Sequence, residues 1–112
     1  MNFSKSLGSF EEIVLLAIVG LTTTNSAYGT SIRKRVSEAT QREIAVGALY
    51  STLERLEAKK LVSSWRGEAT PERGGRPKRF FRIEGAGKEA LEAMDATRKK
   101  LKIISRGSFG LV

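Results

Sequence analysis

Neither cysteine nor histidine occurs anywhere in the 112 residues. Their absence removes disulfides, thiol nucleophiles, imidazole bases and the usual zinc and copper sites together, and it fits a reducing cytoplasm. No apolar run reaches membrane-spanning length, since "IVLLAIVGL" at 13–21 is too short. No basic segment precedes that run and no cleavage-like site follows it, so it does not read as a signal peptide, and no membrane partner is expected. The chain is too short for separate cofactor and substrate domains; one domain with a modest core is expected. It holds no internal repeat and no interdomain linker. Acidic residues are the scarcer charge, with 12 Asp and Glu against 20 Lys and Arg, for a net charge of +8. That balance favours a polyanionic partner such as nucleic acid. With 40% apolar and 29% charged residues, the composition is that of a folded globular protein.

What is present is a series of short periodic segments. Residues 1–8, "MNFSKSLG", carry no periodicity and read as a flexible arm. Ser9 followed three residues on by Glu12 has the spacing of a capping box. It predicts a first helix over about 10–21, so apolar that it must be buried on more than one face. "TTTNS" at 22–26 is a loop that offers Asn25 or Ser26 as the next cap. A second helix over about 27–38 carries Tyr28, Ile32 and Val36 as its buried stripe, with Arg33, Lys34 and Arg35 outside. "ATQREIA" at 39–45 exceeds the turn of a tight helix-turn-helix and leaves room for a very short strand at 42–45. A third helix over about 46–59 sets Val46, Leu49, Leu53 and Leu56 on one side. Its other side offers Gly47, Ala48, Tyr50, Ser51, Thr52 and Arg55.

From Leu61 the pattern becomes strand-like. "LVSSWRGEA" and "KRFFRIE" are β-prone runs joined by the Gly/Pro-rich "TPERGGRP", which predicts a long hairpin. A last helix follows Gly85, over 86–105, with Leu91, Met94 and Leu101 along one face near a heptad seam that Arg98 interrupts. "RGSFGLV" at 106–112 reads as a frayed, flexible tail. The expected fold is mainly α with a small β-hairpin. It is a winged helix-turn-helix over 9–85 with an additional C-terminal dimerisation helix over 86–105.

The stretch "PERGGRPKRFF" at 71–81 opens a run with five basic residues between 73 and 82. Folding alone gives no reason to collect like charges in a turn. Its glycines let backbone approach phosphates, and Arg73, Arg76, Lys78 and Arg79 neutralise them with release of counterions. A solvated turn is the plainer account. One of Phe80 and Phe81 is expected in the core rather than stacked on a base. Tyr50 stays open between a half-buried core position and a DNA contact. Ser51 and Thr52 are phosphate or base contacts, or merely polar surface. Helix three has no Asn or Gln to read adenine, and Arg55 is its one side chain suited to a bidentate guanine contact. Ala48 against thymine methyls, together with DNA shape, would supply the rest.

An enzyme reading fares poorly. "GAGKEA" at 85–90 formally matches a dinucleotide-binding glycine pattern, but no parallel βαβ unit surrounds it and no acidic residue lies about twenty positions on. As a phosphate-binding P-loop it fails because Glu89 replaces the required hydroxyl residue and Arg82 stands where the first glycine belongs. No glutamate sits in an apolar, pocket-like stretch that would tune a general acid. Neither catalysis nor a cofactor is expected.

"GALYSTLERLEAKKLV" at 47–62 and "RGGRPKRFFRIEGAGKEAL" at 73–91 resemble the recognition-helix segment, wing and following helix of the PadR family of transcriptional regulators. The resemblance covers about residues 8–104. It implies a homodimeric bacterial repressor, cytoplasmic and nucleoid-associated, whose third helix enters the major groove of double-stranded DNA. It also implies that the first and last helices make the dimer, here through Ile13, Leu16, Leu91, Met94 and Leu101. Small molecules or stress signals relieve repression in that family, which makes a small-molecule effector a further expected partner. Some members hold aromatic drugs between aromatic side chains at the dimer centre; the helix expected at 86–105 has no aromatic residue. Two departures stand out. The family's Gly-Tyr at the start of helix two is Tyr28-Gly29 here, and its common Thr after the second wing strand is Glu84. The competing reading is a basic winged helix that binds RNA or the ribosome. It uses the same electrostatics but lacks an exposed aromatic run for stacking unpaired bases.

Overall fold

Gly8, not Ser9, caps the first helix. Its N–H donates to Glu11 Oε1 at 2.8 Å, so the reach-back expected of Glu12 is made one residue earlier, and Glu12 is left for a distant partner. The computed structural model describes residues 7–67 and 77–109, with side chains to residue 102. Six elements follow in order: α1 (Ser9–Thr22), α2 (Gly29–Thr40), α3 (Val46–Ala58), β1 (Val62–Arg66), β2 (Arg79–Ile83) and α4 (Gly85–Phe109). Residues 1–6 of the arm expected at 1–8 and 110–112 of the tail expected at 106–112 lie outside the described residues, as does most of the basic loop, at 68–76. No described helix is long and apolar enough to cross a membrane.

α1 buries Val14, Leu15, Ala17 and Ile18 against the other helices and the hairpin. Leu16 remains 51% exposed, so this chain alone covers only part of an almost wholly apolar helix. α2 begins two residues later than its sequence suggests. Tyr28 is held in extended conformation as the N-cap because it forms an isolated antiparallel bridge with Phe80, and the Phe81 N–H donates to the Ala27 carbonyl at 2.8 Å. Ser31 then accepts the Tyr28 N–H at 3.1 Å, the reciprocal half of a capping arrangement.

That bridge takes the place of the short strand expected at 42–45, which does not form. Those residues are instead tied to α2. The Ile44 N–H donates to Ser37 Oγ at 3.3 Å and its carbonyl accepts Arg33 Nε at 2.5 Å, while the Ile44 side chain is buried. α3 buries Leu49, Leu53 and Leu56 as expected, but Val46 is 53% exposed and does not join the stripe. At the far end Lys60 adopts φ 63 and the Leu61 N–H returns to the Leu56 carbonyl. This left-handed closure turns the chain into β1.

β1 and β2 are antiparallel with Val62 opposite Ile83 and Ser64 opposite Phe81. Of the two phenylalanines, Phe81 enters the core and Phe80 stays half-buried, as alternation of side chains across a strand requires. Gly87 explains the glycine pattern at 85–90 by packing: a Cβ there would lie 2.3 Å from the Leu61 carbonyl oxygen and 2.7 Å from Ile83 Cγ1. Glu84 starts α4 through its carbonyl, which accepts the Gly87 and Lys88 N–H groups, while its carboxylate goes to Ser63 and Arg82. α4 continues to Phe109, past the end expected near 105, so the helix does include one aromatic residue. Its first turns rest on the core through Ala86, Ala90 and Leu91; further along, Leu101 is 57% exposed.

Candidate nucleic-acid interface

α3 turns its leucines inward, and the opposite face presents Gly47, Tyr50, Ser51 and Glu54, all exposed, with Ala48 beside them. The spacing i, i+3, i+4, i+7 is one face of a helix. Tyr50 stands against the start of α2. A Cβ on Gly29 would stand 2.0 Å from Tyr50 Oη and 2.7 Å from Cζ, so with any other residue at the start of α2 that ring would have to move. The departure Tyr28-Gly29 therefore has a structural consequence: the glycine sits under the α3 tyrosine, and Tyr28 turns towards the wing.

The wing side is an aromatic and cationic ladder. Tyr28 and Phe80 have ring centroids 5.6 Å apart, and Phe80 meets Trp65 edge-on at 5.8 Å. Lys78 Nζ lies 4.1 Å from the Tyr28 centroid, close enough for a cation–π contact. Tyr28, Gly29, Thr30, Tyr50, Pro77, Lys78 and Arg79 line one cleft of about 410 Å³. The start of α2, the exposed face of α3 and the base of the wing thus share one side of the molecule.

The cations differ in what they are committed to. Arg79 is ion-paired with Glu57 of α3, donates through Nε to Ser64 Oγ at 3.0 Å, and lies over the Phe81 ring at 5.2 Å. It ties the wing to α3. Arg55 leans towards α1, with Nε 3.6 Å from Glu11 Oε2 and Nη2 donating to Thr52 Oγ1 at 3.1 Å, though its side chain stays 55% exposed. Arg73 and Arg76 lie outside the described residues.

Thr52 corrects the sequence expectation. It is 1% exposed, its hydroxyl donates to the Ala48 carbonyl at 2.9 Å, and it has no surface to offer a ligand. The cause is its position between Leu49 and Leu53, on the border of the buried stripe. Conversely, Glu54 escaped the reading of the sequence, although its spacing from Gly47, Tyr50 and Ser51 places it on their face.

Two adjacent carboxylates near the start of α1 tie that helix to α3 and its C-terminal end and to α4. Glu11 is buried and accepts both contacts of Lys59 Nζ at 2.9 Å as well as the Gly8 N–H. Burial pushes its pKa up, but the Gly8 N–H, Lys59 and Arg55 together outweigh that and hold it below the ordinary value. Glu12, equally buried, takes the guanidinium of Arg98 on α4, with Nη1 to Oε2 at 2.6 Å. Of the residues expected at a dimer interface, Leu16 and Leu91 line a shallow groove between α1 and α4 together with Glu12 and Arg98. Ile13 and Leu16 also line a groove against Val36 and Ala39 of α2. Met94 is half-buried on α4, and Leu101 stands well beyond both grooves. Among the described residues no cluster of side chains suits a metal ion.

The model of the PadR-like family of transcriptional regulators matches residues 15–93. Among solved structures, a PadR-like transcription factor from Bacteroides fragilis is 26% identical, with a TM-score of 0.74 and 89% of each chain covered. A PadR family transcription regulator from Clostridium difficile is 25% identical, with a TM-score of 0.64, over 89% of this chain and 97% of that one. A putative transcriptional regulator from Thermoplasma acidophilum shares the fold at 20% identity, with a TM-score of 0.63, over 89% of this chain and 92% of that one. No curated protein matches the chain significantly. The family match spans the helices and the hairpin that build the cationic cleft, and the chain belongs to the PadR-like family of DNA-binding, winged-helix transcriptional regulators.

Proposed function

We propose that two copies of this chain form a two-fold symmetric dimer that binds an inverted repeat in double-stranded DNA and represses transcription. The observation that carries this reading is the convergence of the exposed α3 face, the start of α2 and the wing base on one cleft. In a protein of net charge +8, that side suits a major groove holding α3, with phosphates on either flank. Ala48, Tyr50 and Ser51 meet base edges and adjoining phosphates, and Arg55 reaches the duplex from the side of the helix. Lys78 takes a phosphate, Arg73 and Arg76 add charge along the wing, and Arg79 divides its charge between Glu57 and the DNA.

What the single chain leaves uncovered supports the dimer. Leu16 on α1 and Leu101 on α4 are exposed, and Ile13, Leu91 and Met94 are only partly buried, which leaves apolar strips that a domain this small does not fully cover alone. Joining them across a two-fold axis sets two α3 helices on one side of the duplex, roughly 34–36 Å apart. A small-molecule effector that relieves repression, and a place on the bacterial nucleoid in the cytoplasm, complete the reading.

Sedimentation and gel-shift competition test it. The wild type should sediment as a dimer at micromolar concentration, and duplex DNA should compete better than structured RNA for a bound inverted repeat. In Met94→Asp the dimer should break while each monomer stays largely folded, and operator affinity should collapse. A wild-type monomer with intact DNA affinity would sink the dimer, and preference for structured RNA would sink the DNA reading.

A further inference from the structure

We infer that Glu54 is a specificity-determining residue that accepts a hydrogen bond from cytosine N4 in each half-site. The inference rests on the DNA reading proposed above. Glu54 is exposed on the α3 face that presents Gly47, Tyr50 and Ser51, and that i, i+3, i+4, i+7 set is how a helix lying in a major groove addresses base edges.

Among the described residues nothing uses this carboxylate. Glu54 forms no ion pair among the described residues, and its helical neighbours three and four positions away are Tyr50, Ser51, Glu57 and Ala58, none of them cationic. The two arginines that pair at α3 serve other carboxylates, Arg55 that of Glu11 and Arg79 that of Glu57. Three residues on, Glu57 is itself occupied by Arg79 and by Ser64 Oγ at 2.6 Å, so it does not duplicate Glu54. A lone carboxylate on this face weakens attraction to phosphate on every sequence, and that general cost is offset only where a base repays it.

The chemistry of the groove names that base. Guanine offers O6 and N7 and thymine offers O4, all acceptors that repel a carboxylate. Cytosine offers the N4 amino group as a donor, whereas adenine pairs its N6 donor with the N7 acceptor beside it. An acceptor-only side chain therefore selects cytosine. Its amide counterpart, which both donates and accepts, suits adenine.

The test uses the full chain as wild type, Glu54→Gln and Glu54→Ala, each selecting from duplexes with a randomised region, followed by titration of single-base variants. Wild-type selections should carry cytosine at one position per half-site. Glu54→Ala should lose discrimination there by on the order of tenfold, keep its other preferences, and hold or raise its affinity for random duplex. Glu54→Gln, which preserves size and helix propensity, should shift that position towards adenine and stays readable if the alanine variant alters stability. If both variants keep every positional preference, including through a uniform gain in affinity, the assignment is overturned while the DNA reading stands. A wild type that binds no duplex at any salt concentration overturns both.

Discussion

Glu12 on α1 and Arg98 on α4, 86 residues apart in sequence, meet as a two-pronged guanidinium–carboxylate pair. The carboxylate is buried and the arginine half-exposed, so the two partners are not equivalent. Arg98→Ala leaves a buried charge without its partner and should cost about 2–4 kcal/mol. Adding Glu12→Gln should recover much of that loss, because the stranded charge is gone. Urea denaturation of the single and double variants at one protein concentration measures both. If Arg98→Ala unfolds at the wild-type midpoint, the pair contributes nothing to holding α4.

Gly29 and Tyr50 make a prediction in which the sign reverses. Alanine is the better residue by about 0.8–1 kcal/mol in a helix interior, and by less at the first position of α2, where Gly29 stands. Here its Cβ would meet the outer atoms of the Tyr50 ring, which is partly exposed and can swing aside, so Gly29→Ala should lose that advantage, destabilise by about 0.5–1 kcal/mol, and weaken DNA binding as the tyrosine shifts. In a Tyr50→Ala background the same change should become stabilising while DNA binding stays weak. Thermal melts and gel shifts on the four proteins of this cycle check it, and additive effects would contradict the contact.

Acid should weaken the protein through Glu11. Its pKa is lowered in the folded state, so the stability it contributes is present above the unfolded value of about 4.3 and is lost as pH falls through the lower folded one. Glu11→Gln should cost about 1–2 kcal/mol at neutral pH, since Lys59 and Arg55 are partly solvated. The difference between wild type and variant should shrink from about pH 5 downward. Urea midpoints measured against pH provide the comparison, and a constant gap would remove Glu11 from the account.

Lys78 and Arg79 are adjacent but should fail differently. Lys78→Ala should weaken binding to all duplexes alike and reduce the salt slope by about one unit, with little change in stability. Arg79→Ala should also cost about 0.5–1 kcal/mol of stability, because it releases Glu57 and Ser64. Salt titrations and melts of both variants separate the roles. Identical behaviour would mean that the Glu57 pair does not distinguish Arg79 from its neighbour.

Much of the fold is legible in the sequence because it is set over one or two turns. Spacings of three and four residues place Leu49, Leu53 and Leu56 inward and Tyr50 and Ser51 outward, and alternation along β2 requires one of Phe80 and Phe81 to enter the core. The Leu-Tyr and Leu-Glu-Arg-Leu-Glu segments of α3 are the more specific carriers of the family resemblance, beside the wing and following helix at 73–91. Tertiary structure decided which partner each side chain takes. Ser9 and Glu12 have the spacing of a cap, yet Gly8 and Glu11 make it and Glu12 pairs with Arg98 on α4. Residues 42–45 leave room for a strand, yet Tyr28 fills that place by reaching Phe80. Thr52, on the border of a stripe, became core when α3 settled against its neighbours, and Arg79 became a tie between wing and helix. The physical reason is one of range. Helical and strand periods are properties of consecutive residues, whereas a hydrogen bond or ion pair forms only within about 3–4 Å, between groups that chain folding brings together from tens of residues apart.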